Sequence, residues 1–139
     1  MTGAMKTITT KAETANIEAI TAFVDQELEA RGCPVRQQMQ IRVAIDELVS
    51  NIAYYAYAPD TGNVTVDLDF EDGDRTAVLT FTDEGVAYDP LQAAEPDVSL
   101  SADKRKIGGL GIFLVRKTMD EVRYRREGGK NILTIKKHI

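Results

Sequence analysis

The chain has 139 residues, 43% of them hydrophobic, and its 22 acids against 17 bases leave a formal charge of -5. That is the size of one ordinary domain, able to bury roughly two-thirds of the surface it would expose unfolded. The acidic balance, with only the short basic cluster Lys104, Arg105 and Lys106, argues against bulk nucleic-acid binding, which needs lysine and arginine to displace counterions from phosphates. One cysteine, Cys33, leaves no partner for an internal disulfide or a thiolate metal cage and fits a reducing compartment. The N-terminus lacks the apolar core of a signal peptide, and no window approaches the roughly 18 apolar residues of a membrane span. A soluble, cytoplasmic protein without a membrane partner is expected, with residues 1–4 as an N-terminal extension and 5–139 as a single domain.

The elements come in alternating layers without repeats. "MKTITT" predicts a short first strand. Thr10 and Glu13 are spaced as a capping box, and Ile17, Ile20, Val24 and Leu28 then recur at helical spacing until "RGCP", which predicts an amphipathic helix. Ile41, Ala44, Ile45, Leu48, Val49, Ile52, Ala53 and Ala56 form one apolar stripe at about 100° per residue, predicting a second helix from about 35 to 57, ended by Pro59. "NVTVDLDF" and "TAVLTFT" alternate apolar and polar residues around "EDGD", a hairpin whose Asp-Gly supplies the positive φ of a tight turn.

From Asp89 to Gly108 no period is visible, and compact domains seldom carry such a loop unless it has a task. "LGIFLVRKTM" resumes helical spacing through Leu110, Phe113 and Leu114, and "EVRYR" with "NILTIKK" closes the chain as a hairpin across Gly128 and Gly129. Adjacent hairpins predict an α+β two-layer sandwich: a mixed, mostly antiparallel sheet with helices packed on one face.

Three stretches carry residue types suited to chemistry. Glu47 and Asn51, four apart, border one edge of the second helix's apolar stripe, where a carboxylate and an amide overlook a cleft; alone, they read equally as a half-exposed polar pair on a helix shoulder. Asp83 stops a strand and, if buried, can accept a hydrogen bond from a ligand amino group. Gly85, two residues on, permits close approach to the backbone. The competing reading is an Asx turn that merely closes a strand. "GGLG" opens a helix, where unpaired backbone N–H groups can meet an anion; it is also compatible with a flexible joint, and neither a P-loop nor a dinucleotide fingerprint is present. Tyr54, Tyr55 and Tyr57 are expected to combine core packing with partial exposure, the alternative being a partner surface. Met119 and "EVRYRRE" have only structural readings.

"ELVSNIAYYAY" at 47–57, "DEGVAYDP" at 83–90 and "GGLGIFLV" at 108–115 occur in one order in one short chain. Together they resemble the N, G1 and G2 boxes of the GHKL (Bergerat-fold) ATPases, a fold shared by histidine kinases, MutL and type II topoisomerases. Within that group the chain looks most like the anti-sigma factor serine/threonine kinases that partner STAS-domain antagonists. The resemblance implies ATP and Mg²⁺ as cofactors. It implies Asn51 as the magnesium-holding asparagine and Glu47 as the general base. Asp83 would read the adenine amino group with Gly85 beneath the base. The stretch 91–107 would be a lid, with Lys104 and Arg105 adding charge and Gly109, Leu110 and Gly111 lying near the phosphates. A STAS-domain anti-sigma factor antagonist and a sigma factor are the implied partners, and a homodimer the implied assembly.

Two departures accompany the likeness. Tyr55 stands where relatives commonly have a histidine, and Asn131, or out of register Thr134, stands where they have a threonine early in the last strand. Histidine kinase activity is disfavoured, since no dimerisation helix carries a phosphoacceptor histidine and His138 is the only histidine. The alternative to a kinase is a binding module of the same fold that uses ATP only to gate its grip on a partner; a base at Glu47 favours the kinase.

Overall fold

The computed structural model describes residues 5–92 and 109–139. Five strands and three α-helices follow in the order β1 (Lys6–Lys11), α1 (Ile17–Ala30), α2 (Val35–Asn51), β2 (Asn63–Glu71), β3 (Thr76–Asp83), α3 (Gly109–Thr118), β4 (Glu121–Glu127) and β5 (Lys130–His138). The strands form one sheet of order β1-β2-β3-β5-β4, and every pairing is antiparallel. The expected sheet is thus present with no parallel pair among the described strands. None of the described helices is long and apolar enough to cross a membrane.

Alternation decides which face of the sheet is covered, because successive side chains on a strand point to opposite sides. Val64, Val66, Leu68, Phe70, Ala77, Leu79, Phe81, Leu133 and Ile135 are buried, and they join Ile20, Val24 and Leu28 of α1 and Ile41, Ile45, Leu48 and Val49 of α2 in one core. Burying each such aliphatic or aromatic side chain contributes roughly 1.5–3 kcal/mol, the main favourable term in folding. The opposite face carries threonines: Thr9 Oγ1 lies 3.0 Å from Thr65 Oγ1, and Thr80 Oγ1 3.4 Å from Thr134 Oγ1. Thr134 therefore belongs to the side of the sheet away from the helices.

Both hairpin turns form where expected. Asp72, Gly73 and Asp74 all have positive φ, and the two-residue turn between β4 and β5 has Gly128 at φ 58 and Gly129 at φ 77. A tight turn with positive φ at both central positions matches the twist of its strands, and glycine adopts that backbone without a Cβ penalty.

Three local expectations are corrected. Thr10 is the fifth residue of β1, so it caps no helix; the chain passes through a single 3₁₀ turn, Thr14–Asn16, before α1 starts at Ile17. The second helix is α-helical only to Asn51 and widens into a π-helical segment, Ile52–Tyr57, closed by an i→i+5 bond from Ala58 N–H to Ala53 O at 3.0 Å. Ile52 and Ala56 stay buried through it, Tyr57 packs against the core, and Tyr54 is 59% and Tyr55 36% exposed. α3 forms, but it buries Ile112 and Val115, with Met119 just beyond it, and leaves Leu114 42% exposed. An even run of large apolar residues, "LGIFLV", makes the phase of a short helix unreadable from sequence, and the neighbour decides it.

Candidate nucleotide site

The register of the sheet places a row of side chains at one end: Arg126 of β4 pairs with Asn131 of β5, Asn131 with Asp83 of β3, and Asp83 with Val64 of β2. Asp83 ends its strand at 3% exposure. Its Oδ1 accepts from Gly85 N–H at 2.9 Å and from Asn131 Nδ2 at 2.9 Å. Burial raises the carboxyl above its usual range, while these two donors and the Arg126 charge act in the opposite direction. The Asx turn that sequence alone allows is present, and it fixes the carboxylate instead of merely closing the strand.

Gly85 has no room for a side chain. A Cβ there would collide with the carbonyl group and Cβ of Ala56, and Val86 N–H donates to that same Ala56 oxygen at 2.9 Å. The loop after β3 is thus laced to the π-helical end of the second helix. Arg126 Nη1 adds a bond to Gly85 O at 2.8 Å. Tyr57 ties a further corner: its hydroxyl accepts from Glu84 N–H at 2.8 Å and donates to Asn63 O at 2.7 Å. Tyr55 stacks on Tyr88 with ring centroids 4.9 Å apart.

Asn51, the last residue of α2, is 5% exposed. It lines a narrow hollow with Asp83, Phe81, Tyr88, Tyr124 and Asn131, so the asparagine of the second helix and the aspartate of the third strand are brought to one place. Glu47, one helical turn before Asn51, is half-buried, and its Oε1 is enclosed without a hydrogen-bond partner among the described residues. Burial first, then the Asp46 charge, push its carboxyl above the usual range, and hydrogen bonding with Asn51 opposes them.

Gly111 explains why α3 meets α2 at this point. The residue lies inside the first turn of α3 and not in a loop before it, and a Cβ on Gly111 would overlap the Glu47 carboxyl. Space for a carboxylate, more than backbone freedom, is what this glycine provides. Gly109 is the first residue of α3 and Leu110 the second. Lys104 and Arg105, with the rest of the expected lid from 93 onward, lie outside the described residues.

No group of three or more His, Cys, Asp or Glu that could hold a metal occurs among the described residues. Asn51 offers an amide oxygen, and the Glu47 carboxylate one turn away can order the metal's waters. A magnesium ion that keeps several waters and takes its other ligands from phosphate needs no more protein oxygen than that, so the residues fit it.

Sequence reasoning missed two contributors and left a third undecided. Tyr124 and Arg126, given only structural readings, both reach the Asp83 loop; their alternation with Val122 along β4 was the available signal. Asn131, not Thr134, occupies the position beside Asp83, and register alone separates them, because the two residues are three apart and face opposite sides of the sheet.

Residues 10–137 match the family model described as Histidine kinase-like ATPase domain. Serine/threonine-protein kinase BtrW of Bordetella bronchiseptica is 33% identical over 103 residues, covering 74% of this chain and 72% of that protein. Serine-protein kinase RsbW of Staphylococcus epidermidis is 31% identical over 100 residues; the match covers 68% of this chain and 62% of that protein, less than two-thirds of its length. A crystal structure of the RsbU and RsbW domains of a Mycobacterium tuberculosis protein shares the fold with a TM-score of 0.66 at 18% identity, over 98% of this chain and 32% of that one. The histidine kinase domain of a blue-light-activated kinase from Erythrobacter litoralis does so at 0.54 and 16%, over 90% of this chain and 60% of that one. The fold, the order of the three boxes and these matches agree: the chain belongs to the histidine kinase-like ATPase domain family, whose fold implies ATP binding, and within it to the serine/threonine-protein kinases.

Proposed function

We propose that the protein binds MgATP in the hollow between α2 and the end of β3 and transfers the terminal phosphoryl group to a serine on a STAS-domain anti-sigma factor antagonist, while its other partner is a sigma factor that it sequesters. The observation that carries this reading is the convergence of Asp83 and Asn51 on one hollow, with Glu47 a turn away against the N-terminal turn of α3.

Each residue has a task that its surroundings suit. Asp83 Oδ1 is already bonded twice, so Oδ2 is the oxygen that accepts from a base amino group. A helix leaves the N–H groups of its first turn without partners inside the helix, and those of α3 would meet the phosphates. Asn51 would hold Mg²⁺, which when bound neutralises phosphate charge. The half-buried Glu47 carboxylate takes the proton from the serine hydroxyl as the new O–P bond forms and the bond to the ADP oxygen breaks. An enclosed carboxylate raised above its ordinary range is a better proton acceptor than a solvated one. A phosphate on the antagonist adds about two negative charges, enough to break a contact that tolerated a hydroxyl.

Intact-mass analysis after mixing the protein, MgATP and the STAS-domain protein encoded nearest to it tests the proposal. A single phosphate should appear on the STAS protein, and Glu47→Ala should lower the rate by about 10²–10⁴ with nucleotide binding largely retained. ATP binding without transfer to any such partner would replace the kinase by a nucleotide-gated binding module.

A further inference from the structure

Asn131 is 4% exposed, and every hydrogen-bonding site of its side chain is used. Its Nδ2 donates to Asp83 Oδ1 at 2.9 Å and to Val86 O at 2.8 Å. Its Oδ1 accepts from Tyr88 N–H at 3.1 Å and from the Tyr124 hydroxyl at 2.6 Å. An amide has two donors and an oxygen with two lone pairs, so nothing remains for a ligand.

The way round the amide sits follows from its backbone partners. A main-chain N–H can only donate and a main-chain carbonyl can only accept, so Tyr88 N–H must face Oδ1 and Val86 O must face Nδ2. The second Nδ2 hydrogen then points at Asp83, and Asp83 Oδ1 must be an unprotonated acceptor. Gly85 N–H, also a fixed donor, makes the same demand on that oxygen. Both donors hold one carboxylate oxygen and leave the other to the hollow, whose remaining described lining is largely apolar: Leu48, Ile52, Phe81, Pro90 and Leu133.

We infer that Asn131 is a positioning residue that gives no hydrogen bond to a ligand, fixes Asp83 with Oδ2 as an acceptor toward the hollow, and thereby selects a base that donates a hydrogen there over one that presents a carbonyl. The inference rests on the proposal that the hollow takes the base of ATP. It makes discrimination between a 6-amino and a 6-oxo purine depend on an amide one strand away from the carboxylate that does the reading.

Calorimetric titration with ATP and with inosine triphosphate, which differs at that position, separates the possibilities. The unaltered protein should bind ATP at least a hundredfold more tightly, because a site built around one hydrogen bond rejects a ligand that leaves the acceptor unpaired. Asn131→Val and Asn131→Thr have nearly the same shape and both suit a strand, but only threonine keeps a donor for Asp83. The ATP preference should fall tenfold or more in Asn131→Val and be partly restored in Asn131→Thr. A general packing defect would weaken both nucleotides alike, so an unchanged preference in Asn131→Val overturns the inference. If that variant does not fold, NMR of the unaltered protein decides: the Asn131 side-chain amide protons should stay protected from solvent exchange with and without ATP, and fast exchange in the free protein overturns it. Failure of the unaltered protein to bind either nucleotide would instead remove the ATP reading itself.

Discussion

A buried carboxylate such as Asp83 is a cost to the free protein that becomes useful only when a donor arrives. Its folded-state pKa is raised, so the folded chain holds a proton that the unfolded chain gives up just above the ordinary aspartate value of 3.8. Its contribution to stability is therefore full below that value and is lost as pH rises through the folded pKa. Asp83→Asn keeps an oxygen for Gly85 N–H and Asn131 Nδ2 and removes the charge. The variant should melt at a temperature equal to or above that of the unaltered protein at neutral pH, with the difference shrinking on acidification toward 3.8, yet bind ATP at least tenfold more weakly. Calorimetry across pH with and without nucleotide measures both. A variant that melts lower and binds ATP normally would make Asp83 a structural residue only.

The joint between α2 and α3 is an element-scale device, since Gly111 gives up its side chain to the Glu47 carboxyl. Gly111→Ala should push either the carboxylate or the helix, costing about 1–3 kcal/mol as overpacking does. Phosphotransfer should fall more than tenfold, because small misplacement of a reacting group is costly, while ATP affinity changes less. Parallel rate and binding measurements expose that split, and an unaltered rate would show that Glu47 need not sit against α3. The neighbouring joint works by the same close approach: Gly85 admits the Ala56 carbonyl, and the π-helical segment supplies it. Such widened turns are frequent at functional sites. The sequence shows two glycines in the right boxes, but not that one makes room for a side chain and the other for a backbone.

At the scale of the whole molecule, a ligand that binds only the folded state stabilises it by mass action. Saturating MgATP at about 100 times its dissociation constant should raise unfolding stability by about 2.7 kcal/mol, visible as a higher melting temperature, and the rise should be about half as large or less in Asp83→Asn at the same concentration. No shift at millimolar ATP would contradict nucleotide binding in this hollow. The two-layer build makes the site possible: one covered face leaves the helix ends and strand ends at the same rim, where α2, β3, β4 and β5 bring side chains and α3 its first turn.

By itself the sequence determined the layers and the residues worth watching. Alternation in β2 and β3 and the stripe on α2 are local, so the core face and the edge of α2 holding Glu47 and Asn51 could be read directly. Three things waited for the tertiary structure. The phase of α3 was set by what it packs on, the widening of the second helix into a π-helical end was announced by no residue type, and the choice of Asn131 over Thr134 was made by the pairing of strands distant in sequence. Periodicity describes one element at a time, whereas register and close approach belong to pairs of elements and exist only once the chain has folded.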